Sequence, residues 1–151
     1  MADGRSYIES NTRERERLRA LIERLDDATL ASPANEYWTI AGVLGHLAHW
    51  DSRVLVFADK IDRGEPWVPT DAEPDGDWVT DSTRALIHAI APRAAAELCL
   101  RIAEETDARV TDLPLERMAP RDPDSPIWPG RGDHRGEHLD EIEAVLRNRR
   151  A

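Results

Sequence analysis

The pattern of apolar and polar positions along the chain predicts helices and gives no convincing strand. The first helix is predicted over about residues 5–26, where a stretch dense in Arg and Glu suits solvent-facing surfaces. The second helix is the clearest: it is predicted from Thr39, a plausible N-cap, to about residue 63, where Gly64 supplies a stop. Its apolar residues recur at intervals of three and four: Ile40, Val43, Leu47, Trp50, Val54, Phe57 and Ile61.

Two proline-rich segments separate the later helices. Residues 64–79 form the longest polar interruption, and that length suits a crossover between the second and third helices of a bundle. A third helix is predicted over about residues 82–111, but Pro92 interrupts it, so residues 82–90 can be a separate turn of helix. A second loop is expected over residues 112–131.

The fourth helix is predicted over about residues 133–149, with Asp133 as its cap. Four helices and two long loops favour an all-α fold, a four-helix bundle with a long crossover between the second and third helices. At 151 residues and 17.0 kDa, the chain is expected to form a single domain over residues 1–151.

Charge and cysteine content exclude several kinds of partner and site. With 20 Lys and Arg against 30 Asp and Glu, the net charge of −10 disfavours binding to nucleic acid or to an anionic membrane. The N-terminal residues are polar and no apolar stretch approaches the length of a membrane span, so we expect a cytoplasmic protein. Cys99 is the only cysteine; it excludes an internal disulfide and is expected to be a small buried side chain.

Two of the five histidines have the spacing of a metal-binding pair. His134 and His138 lie four residues apart on the fourth predicted helix, so their side chains point the same way one turn apart. His138 also lies four residues before Ile142 and so continues the apolar stripe of that helix. Such a pair can offer two imidazoles to one metal ion, although surface pairs with this spacing also occur by chance.

A third imidazole must come from another helix, and the second helix offers two histidines. At about 100° per residue, His46 falls roughly 60° from the centre of the apolar stripe and His49 roughly 120°. His46 is therefore expected at the edge of the buried face, whereas His49 lies nearer to solvent and is the less favoured alternative. His88, close to the break at Pro92, is interpreted as a solvated or core histidine.

The predicted metal site consists of His46, His134 and His138. Three neutral imidazoles on two helices can hold zinc, nickel or iron. Three protein ligands leave an open coordination position, which is more typical of catalytic than of structural sites. A metal ion there lowers the pKa of bound water or converts a bound thiol to a thiolate.

Aromatic and acidic residues near the predicted ligands complete this hypothesis. Trp50, one turn after His46, is expected to form a wall of the pocket, and Trp128 is expected at its mouth. The alternative for Trp128 is that it anchors its loop on the helices. Asp51 and Glu137 neighbour the ligand positions in sequence and could orient a ligand or act as a general base, but each could equally face water.

Two stretches of the chain resemble motifs of the DinB-like (YfiT-like) superfamily. Residues 38–51, W-T-I-A-G-V-L-G-H-L-A-H-W-D, resemble its second-helix motif: a Trp and a small hydroxyl residue, then His-Leu and an aromatic residue followed by Asp. Residues 134–143, H-R-G-E-H-L-D-E-I-E, resemble its last-helix H-x3-H motif. The resemblance covers residues 1–65 and the last helix well, and it is poor across residues 112–131.

This resemblance implies a four-helix bundle with a long crossover and one divalent metal ion held by His46, His134 and His138. It also implies a metal-dependent enzyme acting on a small-molecule substrate, a thiol transferase or a hydrolase, in some cases with a low-molecular-weight thiol as a further cofactor. Such a bundle can also form a homodimer. The alternative is a non-catalytic bundle that binds a ligand or a second copy of itself, with a structural or vestigial metal site.

Overall fold

The computed structural model describes residues 6–65, 76–113 and 128–151, and the regular structure of these ranges is helical. Its helices, in chain order, are α1 (Ser6–Arg24), α2 (Asp27–Leu30), α3 (Ile40–Asp62), α4 (Gly76–His88), α5 (Pro92–Asp112) and α6 (Gly132–Arg150). The all-α prediction is confirmed, and the remaining parts of the two predicted loops, 66–75 and 114–127, lie outside the described residues. None of these helices combines the length and the apolar composition that crossing a membrane requires.

Helix α3 begins and ends where the sequence predicts. Thr39 is its N-cap, and the Thr39 Oγ1 accepts a hydrogen bond from the backbone N–H of Gly42 at 2.9 Å. Beyond its end, Gly64 has a φ of +80°, a left-handed conformation that glycine adopts without steric cost. Helix α5 begins at Pro92, because a proline in the first turn lacks only an N–H that would be unpaired there.

Two helix starts differ from the sequence prediction. Helix α4 begins at Gly76, inside the first predicted loop, because Val79 and Ile87 bury one face of this segment despite its polar composition. Helix α6 begins at Gly132 without a side-chain cap of its own, so Asp133 is an acidic residue of the first turn and not the N-cap. The one-turn helix α2 lies between the first and second predicted helices.

The four long helices, α1, α3, α5 and α6, contribute to one apolar core. Helices α3 and α5 form the most extensive pair, and α5 contributes small side chains to the core: Ala95, Ala96, Cys99 and Ala103. Small side chains allow two helices to approach closely. Cys99 is 1% exposed, as predicted, and burial raises the pKa of its thiol, so this residue is a packing element and not a nucleophile.

Helix α4 packs on α3 at a notch formed by two glycines. A Cβ atom on Gly45 would lie 2.5 Å from Cγ2 of Ile87, and one on Gly42 would collide with the ring of His88. Carbon atoms do not approach that closely, so glycine at these two positions lets α4 lie directly on α3. Thr80 lies on α4, so the close packing at the notch also sets the distance between Thr80 and α3.

We expect Gly45→Ala to destabilise the protein by about 1–3 kcal/mol, because the added methyl group must push Ile87 and α4 away from α3. In an Ile87→Ala background the same substitution should cost less, since the clashing Cγ2 atom is absent. Urea unfolding of the wild type, the two single variants and the double variant measures this coupling. Equal costs in both backgrounds would contradict the assigned contact.

Candidate metal centre

Three histidines from two helices meet inside the protein. His46 of α3 and His134 and His138 of α6 each present one ring nitrogen within 4.8 Å of the others. The Nε2 atoms of His46 and His134 are 3.2 Å apart, and the ring centroids of the three residues are separated by 4.8–5.2 Å. The structure thus brings together the same three rings that the spacing and the helical wheel selected.

The separation of these nitrogens suits a shared metal ion. Zinc binds imidazole nitrogen at about 2.0–2.1 Å in tetrahedral sites, which places two ligand nitrogens roughly 3.3 Å apart. The 3.2 Å between the Nε2 atoms of His46 and His134 is close to that separation. The buried Nδ1 of His46 has no hydrogen-bond partner in the described part of the chain, so the polar contact of this ring is made through Nε2. The group of three therefore fits a divalent ion.

Two of the three rings are held in the neutral form. Burial is the main reason that the pKa of His46 falls to about 3, and the nearby His138 adds to the effect. Burial, followed by the charge of Arg131, lowers the pKa of His134 to about 2. A neutral imidazole has a free lone pair, so both rings can act as metal ligands at neutral pH without first losing a charge.

A carboxylate orients the third ring. The Nδ1–H of His138 donates to Oε2 of Glu141 at 3.0 Å, which leaves the lone pair on Nε2. The other carboxylate oxygen of Glu141 accepts from Nδ2 of Asn35 at 3.1 Å and so ties the segment before α3 to α6. Metal-binding histidines commonly donate their second ring N–H to a carboxylate in this way. Glu141 lies three residues after His138 on the same helix, a spacing from which the contact could have been predicted.

A guanidinium group, and not a carboxylate, contacts the ring of His134. Nη2 of Arg131 lies 3.2 Å from Nδ1 of His134, and this nitrogen must accept because arginine only donates. Without a metal ion, the ring proton of His134 then lies on Nε2, directed at Nε2 of His46. A metal ion at that nitrogen needs its lone pair, so metal binding would require the other neutral tautomer, with the proton on Nδ1 and without the hydrogen bond from Arg131.

Buried charges next to the histidines link the four long helices. Asp51 of α3 accepts hydrogen bonds from Nε of Arg131 at 2.8 Å and from Nε of Arg135 of α6 at 2.9 Å. Arg135 also donates to both carboxylate oxygens of Asp107 of α5, and Arg15 of α1 donates to the same carboxylate. Removing one partner from a buried ion pair costs about 3–5 kcal/mol, so this buried ion cluster strongly favours one register of the helices.

The start of α6 is capped by a residue of another helix. Oδ1 of Asn11, on α1, accepts from the backbone N–H groups of Arg131 at 2.6 Å and Gly132 at 2.9 Å. Nδ2 of Asn11 donates to the carbonyl oxygen of Pro129 at 2.9 Å. Gly132 permits this close approach, because a Cβ there would lie 2.8 Å from a backbone carbon of Ser10. Asn11 therefore supplies the cap that α6 lacks and fixes the start of the helix with two of the histidines.

A cavity of about 160 Å³ opens beside His46 and His138. The other residues that line it are Asn35, Trp38, Val43, Thr80 and Glu141.

The two tryptophans expected as walls do not line this cavity. Trp50 donates from Nε1 to Oγ1 of Thr80 at 3.2 Å, while Trp128 packs edge-on against Tyr7 with centroids 6.4 Å apart. Trp38 is the aromatic wall instead.

The other candidate residues lie outside the three-histidine cluster. His49 is half-buried, packs its ring against Trp50, and has a pKa lowered mainly by burial. His88 is exposed, which fits its interpretation as a solvated histidine. Glu137 is exposed as well, and Asp51 is taken up by the buried ion cluster, so neither is placed beside the cluster as a free base.

Sequence reasoning missed three residues that shape the site. Trp38 enters the sequence analysis only as the first residue of the motif over residues 38–51 and not as a pocket wall, because a loop position carries no helical periodicity. Arg131 and Arg135 were not singled out, since a buried arginine is recognised only when its carboxylate partners in distant segments are known. Those partners, Asp51 and Asp107, lie 80 and 28 positions away in the chain from the arginines that contact them.

The chain belongs to the DinB superfamily, because the model of that family matches residues 11–139. The matched range includes all three clustered histidines. No curated protein and no solved structure matches the chain. Family membership and the three-histidine cluster together fit a metal-binding domain.

We expect Glu141→Gln to weaken the affinity for Zn²⁺ by about 10–100-fold, because the neutral amide no longer polarises the N–H of His138. The matched control is Glu137→Gln, which removes an exposed carboxylate from the same helix and should leave the affinity unchanged. Competition with a chromophoric zinc chelator measures both affinities. Equal losses in the two variants would show that only the net charge of α6 matters.

Proposed function

We propose that this protein is a metal-dependent enzyme in which His46, His134 and His138 hold one divalent ion. The observation that carries this proposal is the meeting of three ring nitrogens beside a cavity, with two of them 3.2 Å apart. Zinc, nickel and iron all bind imidazole nitrogen in sites of this kind. The neutral state of two of the rings adds support, since binding an ion needs lone pairs and not imidazolium groups.

The proposed reaction is attack by a thiol or by water on a small electrophilic substrate. A divalent ion with three protein ligands supplies an open position and lowers the pKa of a water or thiol bound there. The residues of the chain orient and shield: Glu141 holds a proton on Nδ1 of His138, and Trp38 covers one side of the cavity with an apolar face. In the transferase form, a low-molecular-weight thiol is the second substrate.

The distribution of acidic groups favours the transferase over the hydrolase. In residues 6–65, 76–113 and 128–151, two carboxylates that interact with the cluster already accept hydrogen bonds: Asp51 from two arginines, and Glu141 from His138 and Asn35. Activation of water usually needs a protein base, whereas a thiol has a pKa near 8.5 and depends much less on one. The same observation supports the second candidate function, a non-catalytic domain with a structural metal ion.

We also propose that α1, α3, α5 and α6 form a four-helix bundle, with α4 in the crossover between α3 and α5. The proposal rests on the packing of α3 against α5 and of α1 against α6, together with the α1–α5 and α3–α6 contacts that close the ring. The position of α4 on α3 accounts for the length of the connection.

Purified protein loaded with zinc and dialysed is expected to retain one Zn²⁺ per chain, and His138→Ala is expected to retain far less. His49→Ala serves as the control, because His49 is a half-buried histidine close to the cluster but not part of it. Elemental analysis measures the metal content, and circular dichroism checks that both variants fold. Equal zinc content in all three proteins would rule out the assigned ligands.

Cobalt substitution distinguishes the catalytic proposal from the structural one. With an open coordination position, 2-mercaptoethanol is expected to add a thiolate-to-cobalt charge-transfer band to the near-ultraviolet spectrum of the Co²⁺ protein. The band should be absent from His138→Ala, whose cobalt site is lost. A Co²⁺ protein whose spectrum does not respond to thiol, azide or hydroxamate has a closed site, and that result would favour the structural function.

A further inference from the structure

The cavity beside His46 and His138 has walls of distinct chemistry. One wall is apolar and comes from Trp38 and Val43. Besides the two histidines, the polar residues that line the cavity are Asn35, Thr80 and Glu141, which belong to three different segments of the chain. A cavity that joins an apolar face with a few convergent polar groups is typical of small-molecule sites, in which the polar groups select the ligand.

Thr80 offers a hydrogen-bond donor to this cavity. Its Oγ1 accepts a hydrogen bond from Nε1 of Trp50 at 3.2 Å, and Trp50 is only 4% exposed, so this contact orients the hydroxyl oxygen. Among the described residues nothing accepts the hydroxyl proton of Thr80. Because the indole N–H only donates, the Thr80 hydroxyl is left to donate to an acceptor atom of a ligand.

Glu141 gives the same cavity an acceptor with negative charge. Its two carboxylate oxygens each accept one hydrogen bond, from His138 and from Asn35, and a carboxylate has about four acceptor positions in total. The carboxylate can therefore accept a further hydrogen bond from a ligand N–H. A ligand carboxylate in the same place would meet a like charge in a partly desolvated space, which is unfavourable.

We propose that this cavity binds a small neutral carboxamide group, whose carbonyl oxygen accepts from the hydroxyl of Thr80 and whose N–H donates to the carboxylate of Glu141. The apolar carbon chain next to the amide packs on Trp38 and Val43. This inference rests on the proposed function in one respect: the amide belongs to the substrate or thiol that reaches the metal ion. The cavity of about 160 Å³ is smaller than sites for drug-sized ligands, so it holds one short arm of the ligand.

The test uses three ligands of nearly the same shape. Propanamide has both the acceptor and the donor, butanone keeps the carbonyl but lacks the N–H, and propanoate replaces the amide with a charged carboxylate. Each is titrated into the metal-free and the zinc-loaded protein, and the ¹H–¹⁵N NMR signals of the Trp38 indole and of residues 35–39 report binding. We expect saturable shifts with propanamide, about 2- to 10-fold weaker binding of butanone and, in the metal-free protein, where no ion can bind a carboxylate, the weakest binding of propanoate.

Two variants identify the residue responsible. Thr80→Val removes the donor at nearly constant volume and should weaken propanamide and butanone by the same factor, about 2- to 10-fold. Thr80→Ser keeps the hydroxyl, both as a donor to the ligand and as the acceptor for Trp50, and should bind both ligands like the wild type. If the three ligands bind equally, if none gives a saturable shift, or if Thr80→Val binds propanamide unchanged, the proposal is overturned.

The outcome is separable from that of the metal proposal, because the shifts are followed with and without zinc. Loss of zinc binding with an intact preference for propanamide would remove the proposed function and leave the carboxamide site. A protein that binds zinc and thiols but does not discriminate among the three ligands would keep the proposed function and remove the carboxamide site.

Discussion

The structure depends on a set of opposite charges buried where the four long helices meet. Asp51 and Asp107 come from α3 and α5, and Arg135 of α6 lies between their carboxylates with no exposed surface. Apolar packing alone tolerates small slips between helices, whereas a slip here would leave a charge without its partner in a region of low dielectric constant. Because Asp51 is five residues after His46 and Arg135 follows His134 directly, the same contacts define how the imidazoles face each other.

The histidine cluster combines two opposite ways of holding a ring. His138 donates to a carboxylate, which makes the imidazole more electron-rich, whereas His134 accepts from a guanidinium, which makes it less so. Arg131 contacts both Asp51 and His134, and so it joins the buried ion cluster to the histidines directly. The helix scaffold and the candidate site are thus continuous: the charges that set the register also polarise one of the rings.

The sequence was most informative where periodicity and spacing act on a single helix. The four-residue spacing of His134 and His138, and the position of His46 beside the apolar stripe of α3, were enough to select the three rings that meet. Features that depend on two segments were missed: Asn11 caps α6, so Asp133 does not, and Trp38 takes the place expected for Trp50. The early start of α4 was missed for the same reason, since the helix follows from the burial of Val79 and Ile87 against other parts of the structure, while its own composition is polar.

The cap that Asn11 provides makes the two ends of the chain interdependent. Helix α1 contributes no ligand, yet its second turn holds the first backbone N–H groups of the helix on which His134 and His138 lie. Proteolytic trimming into α1, or a fusion partner that unwinds its first turns, would let the opposite terminus fray from its beginning. Loss of the first turns of α1, which are far from the histidines in sequence, would then abolish the alignment of the imidazole rings while most of the apolar core stayed folded.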